Sequence, residues 1–147
     1  MQATDFDSAL LDAASEVLES MYFMSVTGPL ELIPPVNADW LTVGMQFSGE
    51  TSGRFGLRAP AKTAQAIASN FLGEDGPEMN ASRIADVLGE LCNMVCGAFL
   101  SRVESGSIHD LSHPEPLLEA SPHCTASMWL DLDEGPLQVW MNLESAL

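Results

Sequence analysis

Trp40-Leu41-Thr42-Val43-Gly44-Met45-Gln46-Phe47 alternates, with Leu41, Val43, Met45 and Phe47 on one side and Trp40, Thr42, Gly44 and Gln46 on the other. A period of two is the pattern of a half-buried strand. Ser48-Gly49-Glu50-Thr51-Ser52-Gly53 reads as a turn, and Phe55, Leu57 and Ala59 resume the alternation, so residues 40–59 predict a β-hairpin with one apolar face. That face needs a cover, which helices in the flanking sequence can provide.

Upstream, Phe6, Leu10, Ala13, Ala14, Val17, Leu18 and Met21 recur every three or four residues. They predict an amphipathic helix from Thr4 or Asp5, one of them the N-cap, to about Phe23. Gly28-Pro29 through Pro34-Pro35 can hold at most a short edge strand, because proline lacks a ladder donor. Downstream, Pro60 opens a helix at its favoured first-turn position, and Gly73 closes it after Leu72. Gly76-Pro77 separates this helix from a longer one, about Ala81 to Glu104, with Asn80 as N-cap. Residues 106–124 are rich in proline and predict mostly loop with one short strand. Met128, Leu130 and Leu132 face Leu137, Val139, Met141 and Leu143 across Asp133-Glu134-Gly135-Pro136 as a second hairpin. With Leu132 opposite Leu137, Trp129 lies opposite Trp140 on the outer face. Two readings of that pair stay open, cross-strand stacking and a subunit interface. Hairpins interspersed with three helices predict an α+β fold, a largely antiparallel sheet with long helices packed on one face.

The chain has 147 residues, 46% hydrophobic and 18% charged, which excludes the composition of a disordered chain and predicts one domain over residues 1–147. Five Lys and Arg against 21 Asp and Glu give a net charge of −16. Nucleic acid and anionic membrane surfaces both demand clustered cations, so neither is the expected partner. Cys92, Cys96 and Cys124 are an odd set, too few for a disulfide scaffold, and fit a reducing compartment. The first residues show no cationic leader, and no charge-free apolar run reaches about 18 residues. The expectation is a soluble cytoplasmic protein.

Chemistry concentrates on the long helix. At 100° per residue Asp86, Glu90, Asn93 and Gly97 stand at about 0°, 40°, −20° and 20°, one polar stripe opposite Ile84, Leu88, Leu91, Val95 and Phe99. Asp86 and Glu90 carry like charge four residues apart, which disfavours a helix by a few tenths of a kcal/mol. Neither side of Glu90 offers a cation at i±3 or i±4. Gly97 inside a helix costs up to about 1 kcal/mol relative to alanine and lets another backbone come close. The bland account of such a stripe is a solvated face.

Asp86-x3-Glu90-x2-Asn93, followed after 22 intervening residues by Pro116, resembles the [Asp/Ser]-x3-Glu-x2-Asn-x22-Pro signature of the CheC/CheX/FliY family of response-regulator phosphatases. Met21-Tyr22-Phe23, the Phe47–Gly56 hairpin with Gly49 and Gly53, Leu88-Gly89-Glu90-Leu91-Cys92-Asn93 and the closing hairpin are similar to the CheX branch in kind and order. One copy of the motif points to the CheX type, since CheC and FliY members carry two. The resemblance implies hydrolysis of the aspartyl phosphate of a CheY-like receiver domain. Asn93 would orient the attacking water and Glu90 would pair with the receiver's lysine, while Asp86, Gly97 and Pro116 support the site. The receiver would hold Mg²⁺, and this chain no cofactor of its own. The resemblance also implies a homodimer joined through its sheets.

A second class of function is a non-catalytic module that binds receivers or a second copy. A third is a metal site, because Cys92 and Cys96, like His109 and His113, are four apart. Cys92 borders the apolar face, where a buried thiol acts as a small hydrophobe, and no C-x2-C pair exists, so no metal is expected. His123 beside Cys124 is set aside as a nucleophilic pair, because side chains adjacent in sequence seldom face one another.

Overall fold

The computed structural model describes residues 3–30, 40–73, 80–103, 106–118 and 124–144, with side chains from Phe6 onward. The expected hairpin forms between β2 (Trp40–Ser48) and β3 (Gly53–Pro60), with Val43 opposite Leu57 and Met45 opposite Phe55. It lies inside an antiparallel sheet that also contains β1 (Val26–Pro29), β4 (Asp110–Leu111), β5 (Glu115–Leu117), β6 (Ala126–Leu132) and β7 (Gly135–Leu143). The strand order is β1-β6-β7-β3-β2-β4, and β5 lies on the same edge of β2 as β4. Three helices, α1 (Ala3–Met21), α2 (Ala61–Leu72) and α3 (Ala81–Val103), cover the face that carries Val43, Met45, Phe55, Leu57, Leu130 and Val139. The α+β architecture expected from the sequence is the one observed.

Local chemistry sets the boundaries. Asn80 caps α3, its side-chain oxygen accepting from the Arg83 N–H at 2.8 Å. Gly73 ends α2 in a left-handed conformation, φ 67°, and its N–H donates to the Ser69 carbonyl. Pro60 differs from expectation: it closes β3 opposite Trp40 and stands just before α2, not in the first turn. Its extended ψ of 149° belongs to the strand. The first helix starts at Ala3, so Thr4 and Asp5 lie inside it and neither is its N-cap, and it ends at Met21, not Phe23. Tyr22, fully buried, completes its apolar face, whereas Met21 is 47% exposed. Glu104, the expected end of α3, and residues 31–39, 74–79 and 119–123 lie outside the described residues.

Residues 106–118 contain two short strands where one was expected. Both pair with the outer edge of β2, where a strand carrying Pro116 is tolerated because its missing donor faces away from the ladder.

The closing hairpin corrects the expected register. Leu132 pairs with Gly135, not Leu137, so the turn is two residues long and Trp129 opposes Gln138, while Trp140 opposes Ser127. Two-residue loops match strand twist best, and Gly135 at φ 137° adopts a backbone that side-chain-bearing residues rarely take. Each tryptophan finds another partner on the outer face. Trp129 meets Trp40 edge-on at 5.2 Å, and Trp40 also carries the Arg58 guanidinium at 5.0 Å. Trp140 lies over Gly56, where an added Cβ would sit 2.0 Å from its ring, and is 1% exposed.

That contact makes a test of the register. Gly56→Ala must push a rigid indole aside, and we expect a loss of roughly 1 to 3 kcal/mol in urea unfolding followed by tryptophan fluorescence. An unchanged midpoint would mean that Trp140 does not rest there.

Candidate functional site

α3 turns its apolar side inward, with Leu88, Leu91, Val95 and Phe99 buried to 1% exposure or less. Its remaining face is narrower than a solvated stripe would be. Asp86 and Glu90 are exposed, but Asn93 and Gly97 are only half-exposed. Asn93 keeps its carboxamide oxygen out of solvent with no hydrogen-bond partner among the described residues, and an unsatisfied buried acceptor generally costs about 1 to 3 kcal/mol. Glu90 has no ion pair among the described residues.

Two hollows flank the stripe. The larger, about 530 Å³, is lined by Phe71 and Leu72 of α2, Asp86, Val87 and Glu90 of α3, and His113, Pro114 and Pro116 around β5. Arg83 stands at its α3 end. The motif's distant proline is thus brought beside its two acids. The smaller hollow, about 310 Å³, holds Gly97, Ser101, His109 and Leu111. Asn93 lies between them along the helix. A Cβ on Gly97 would meet nothing within 4 Å, so among the described residues no backbone uses the clearance that this glycine leaves.

Three contributors escaped the sequence reading. Gly89 is buried, and a Cβ there would come within 3.2 Å of Pro114 Cβ, so the segment leading into β5 seats directly on α3. Phe71, at the end of α2, stacks on Tyr22 with ring centroids 4.7 Å apart. Tyr22 itself is buried with its hydroxyl unpartnered, and burial, with the Glu90 carboxylate second, pushes its phenol well above the usual value. The glycine preceding Glu90 was the one available signal. Contacts between residues as distant as 22 and 71 leave no local pattern.

The thiols are core fillers. Cys92 Sγ points to the Phe55 carbonyl at 3.8 Å, and burial, then the neighbouring Cys96, drives its pKa up. Burial pushes Cys96 up to about 12. His109 meets Phe47 edge-on and His113 lines the larger hollow, so the cysteine pair and the histidine pair weighed as metal ligands do not converge. Among the described residues no group of three potential ligands gathers for a metal. His123 lies outside the described residues. α3 is long and apolar enough to cross a membrane by length and composition alone, but half of that window is buried inside the protein.

The family model described as chemotaxis phosphatase CheX matches residues 41–127, more than half of the chain. No curated protein sequence matches. Among solved structures, CheX in the CheX–CheY–BeF3–Mg²⁺ complex from Borrelia burgdorferi is similar at TM-score 0.71 and 19% identity, over 95% of this chain and 98% of that one. CheX from Vibrio vulnificus reaches 0.76 and 22%, over 95% and 96%. A CheX from Desulfovibrio desulfuricans reaches 0.75 and 16%, over 95% and 99%. These likenesses establish the shared fold.

The thiol environment is open to test. In the native protein at pH 8 only Cys124 should react with a thiol reagent, and denaturant should release all three; more than one fast native equivalent would contradict the packing. An unfolded chain yields thiol protons near 9.0, whereas native Cys96 holds its proton to about 12. Stability should therefore be full below about pH 9 and fall as pH rises through that window, measurable by urea midpoint.

Proposed function

This chain belongs to the CheX family of chemotaxis phosphatases, and from that premise we propose that it hydrolyses the aspartyl phosphate of a CheY-like receiver domain, residues 1–147 acting as one phosphatase domain. The observation that carries the reading is the disposition of α3. Among the described residues, exposed Glu90 lacks an ion pair, and Asn93, one turn on, holds a carboxamide oxygen that none of them satisfies.

The chemistry needs little more. An acyl phosphate is already activated, so a catalyst has chiefly to place water in line with the bond to the receiver's aspartate. Water attacks phosphorus, the phosphorus–oxygen bond to the aspartate breaks, and the carboxylate and inorganic phosphate leave. Asn93 suits the positioning role, because its oxygen accepts from water and its amide donates without bringing charge near the phosphoryl group. Glu90 pairs with the receiver's active-site lysine in a charge-assisted contact. Asp86 adds negative potential beside it, Pro116 shapes the flanking wall, and Gly97 leaves clearance for the receiver's own backbone. Mg²⁺ belongs to the receiver, in keeping with the CheX–CheY structure that contains it.

At net charge −16 the protein is a poor ligand for nucleic acid or anionic membrane, and it is assigned to the cytoplasm. The expected homodimer forms through the helix-free sheet face. Trp129 and Trp140 are occupied within the chain, so half-exposed Trp40 and Arg58 supply the contact there. Light scattering should give twice the monomer mass at micromolar concentration, and a monomer would remove this part of the reading.

The two motif residues have separable duties. Asn93→Ala should lower the maximal dephosphorylation rate on the order of a hundredfold or more, with receiver binding nearly intact. Glu90→Ala should weaken binding, since breaking a desolvated charge pair costs roughly 2 to 5 kcal/mol. Alanine is the better helix former at both sites, and circular dichroism should show the fold preserved. A wild-type rate in Asn93→Ala would leave a non-catalytic receiver-binding module as the surviving account.

A further inference from the structure

Phe23 is a large apolar side chain left 79% exposed between Tyr22 and Met24, which are 0% and 2% exposed. Its φ is 56°, and it is the one residue other than glycine, among the described residues, with a positive φ. The Met24 N–H donates to the Leu18 carbonyl at 3.0 Å, a bond that closes a helix around a left-handed residue. Glycine is the ordinary occupant of that position, and a bulky side chain there is strained. The ring returns almost no burial for the strain it brings, so the fold itself does not account for it.

Its location does. Tyr22, the preceding residue, lies close enough to Glu90 for that carboxylate to perturb its phenol, and it stacks on Phe71, which lines the hollow beside Asp86 and Glu90. The end of α1 therefore stands at the rim of the motif face. Burial of the residues on both sides fixes the direction of the ring, so little conformational freedom is lost when a partner covers it.

We propose that Phe23 is a docking anchor for the receiver domain, a rigid aromatic that packs into an apolar recess of the receiver while Glu90 and Asn93 reach its phosphorylated site. The inference rests on the phosphatase reading and deepens it. The receiver is the occupant because Glu90, proposed to pair with the receiver's lysine, lies near Tyr22, the residue next to Phe23, and Phe71 stacked on Tyr22 lines the hollow beside it. A second copy of the chain would sit on the opposite, helix-free face of the sheet, and a chain of net charge −16 is repelled by an anionic bilayer.

The test sets docking against stability. Binding of a receiver charged with beryllofluoride and Mg²⁺, and steady-state dephosphorylation of the phosphorylated receiver, are measured for wild type, Phe23→Gly and Phe23→Tyr. Phe23→Gly should raise both Kd and the half-saturating receiver concentration about tenfold, as expected for loss of an aromatic anchor, with the effect on maximal rate much smaller. The same variant should raise Tm by roughly 2 to 4 °C, because glycine relieves the left-handed strain. Phe23→Tyr keeps the ring and should keep wild-type binding. Wild-type affinity in Phe23→Gly, or a fall in Tm accompanying its loss of binding, would overturn the anchor while leaving the phosphatase reading intact. Failure of wild type itself to bind the charged receiver would overturn both.

Discussion

Phe99 holds the layers together. Its ring lies 5.7 Å from Phe55 on the sheet and 6.1 Å from Phe6 on α1, so one side chain of α3 ties the sheet to its helical cover and α3 to the helix beside it. Aromatic pairs of this kind add about 0.5 to 1.5 kcal/mol each beyond the area they bury, and truncating a buried phenylalanine typically costs about 3 to 5 kcal/mol. The geometric consequence matters more than the sum. Once Leu88, Leu91, Val95 and Phe99 are committed to the core, helical periodicity leaves Asp86, Glu90, Asn93 and Gly97 on the remaining side. The rotation of α3 about its axis is set by burial, and the chemistry occupies what burial leaves.

The second element of the site depends on a sheet edge. β2 would otherwise present unpaired backbone along its free side, a hazard that proteins cover with short strands or prolines. Here β5 and β4 do so in succession, and β5 sets Pro116 opposite Val43, on the helix-covered side of the sheet. Pro114, just before it, rests against Gly89 of α3. A residue 23 positions beyond Asn93 reaches the motif helix because an edge strand needs a partner and a glycine in that helix admits a close neighbour.

What the sequence made legible follows from the range of the interactions. The β2–β3 hairpin, the Asn80 cap, the Gly73 stop and the division of α3 into apolar and polar faces depend on neighbours within a few residues, and all appear as read. The expected register of the β6–β7 hairpin differs from the observed one by two residues, because a two-residue shift satisfies the apolar alternation equally well. What decides it is Gly135, whose position against Thr63 of α2 cannot be seen along a single strand. Trp140 reads from the sequence as half of a cross-strand tryptophan pair on the outer face for the same reason. Its actual cross-strand neighbour there, Gly56 of β3, is distant in sequence and carries no side chain to advertise the contact. The stripe on α3 was legible as a stripe and its composition tied it to a known signature, but the rim formed by Tyr22, Phe71 and Phe23 was not, because it is assembled from the ends of two other helices.

Buried side-chain atoms of Glu134, Gln138 and Trp140 lack partners on the β6–β7 hairpin, but departures of several different kinds meet at one face of α3. Asp86 and Glu90 repel each other across a helical turn, Asn93 carries an unsatisfied acceptor, Tyr22 buries an unpartnered hydroxyl, and Phe23 occupies a left-handed position. Each is mildly unfavourable for the isolated chain, by amounts of tenths to a few kcal/mol. Elsewhere caps, turns and alternation agree with the fold, as they do in sequences that specify one structure. These exceptions lie on or beside one face of α3. A cation opposite the acids and a donor to the carboxamide would relieve two of them, and a partner supplying both would also cover the exposed Phe23 ring. One protein surface can meet those three needs together, which is the physical reason to read the face as a site for another protein rather than as an ordinary solvated surface.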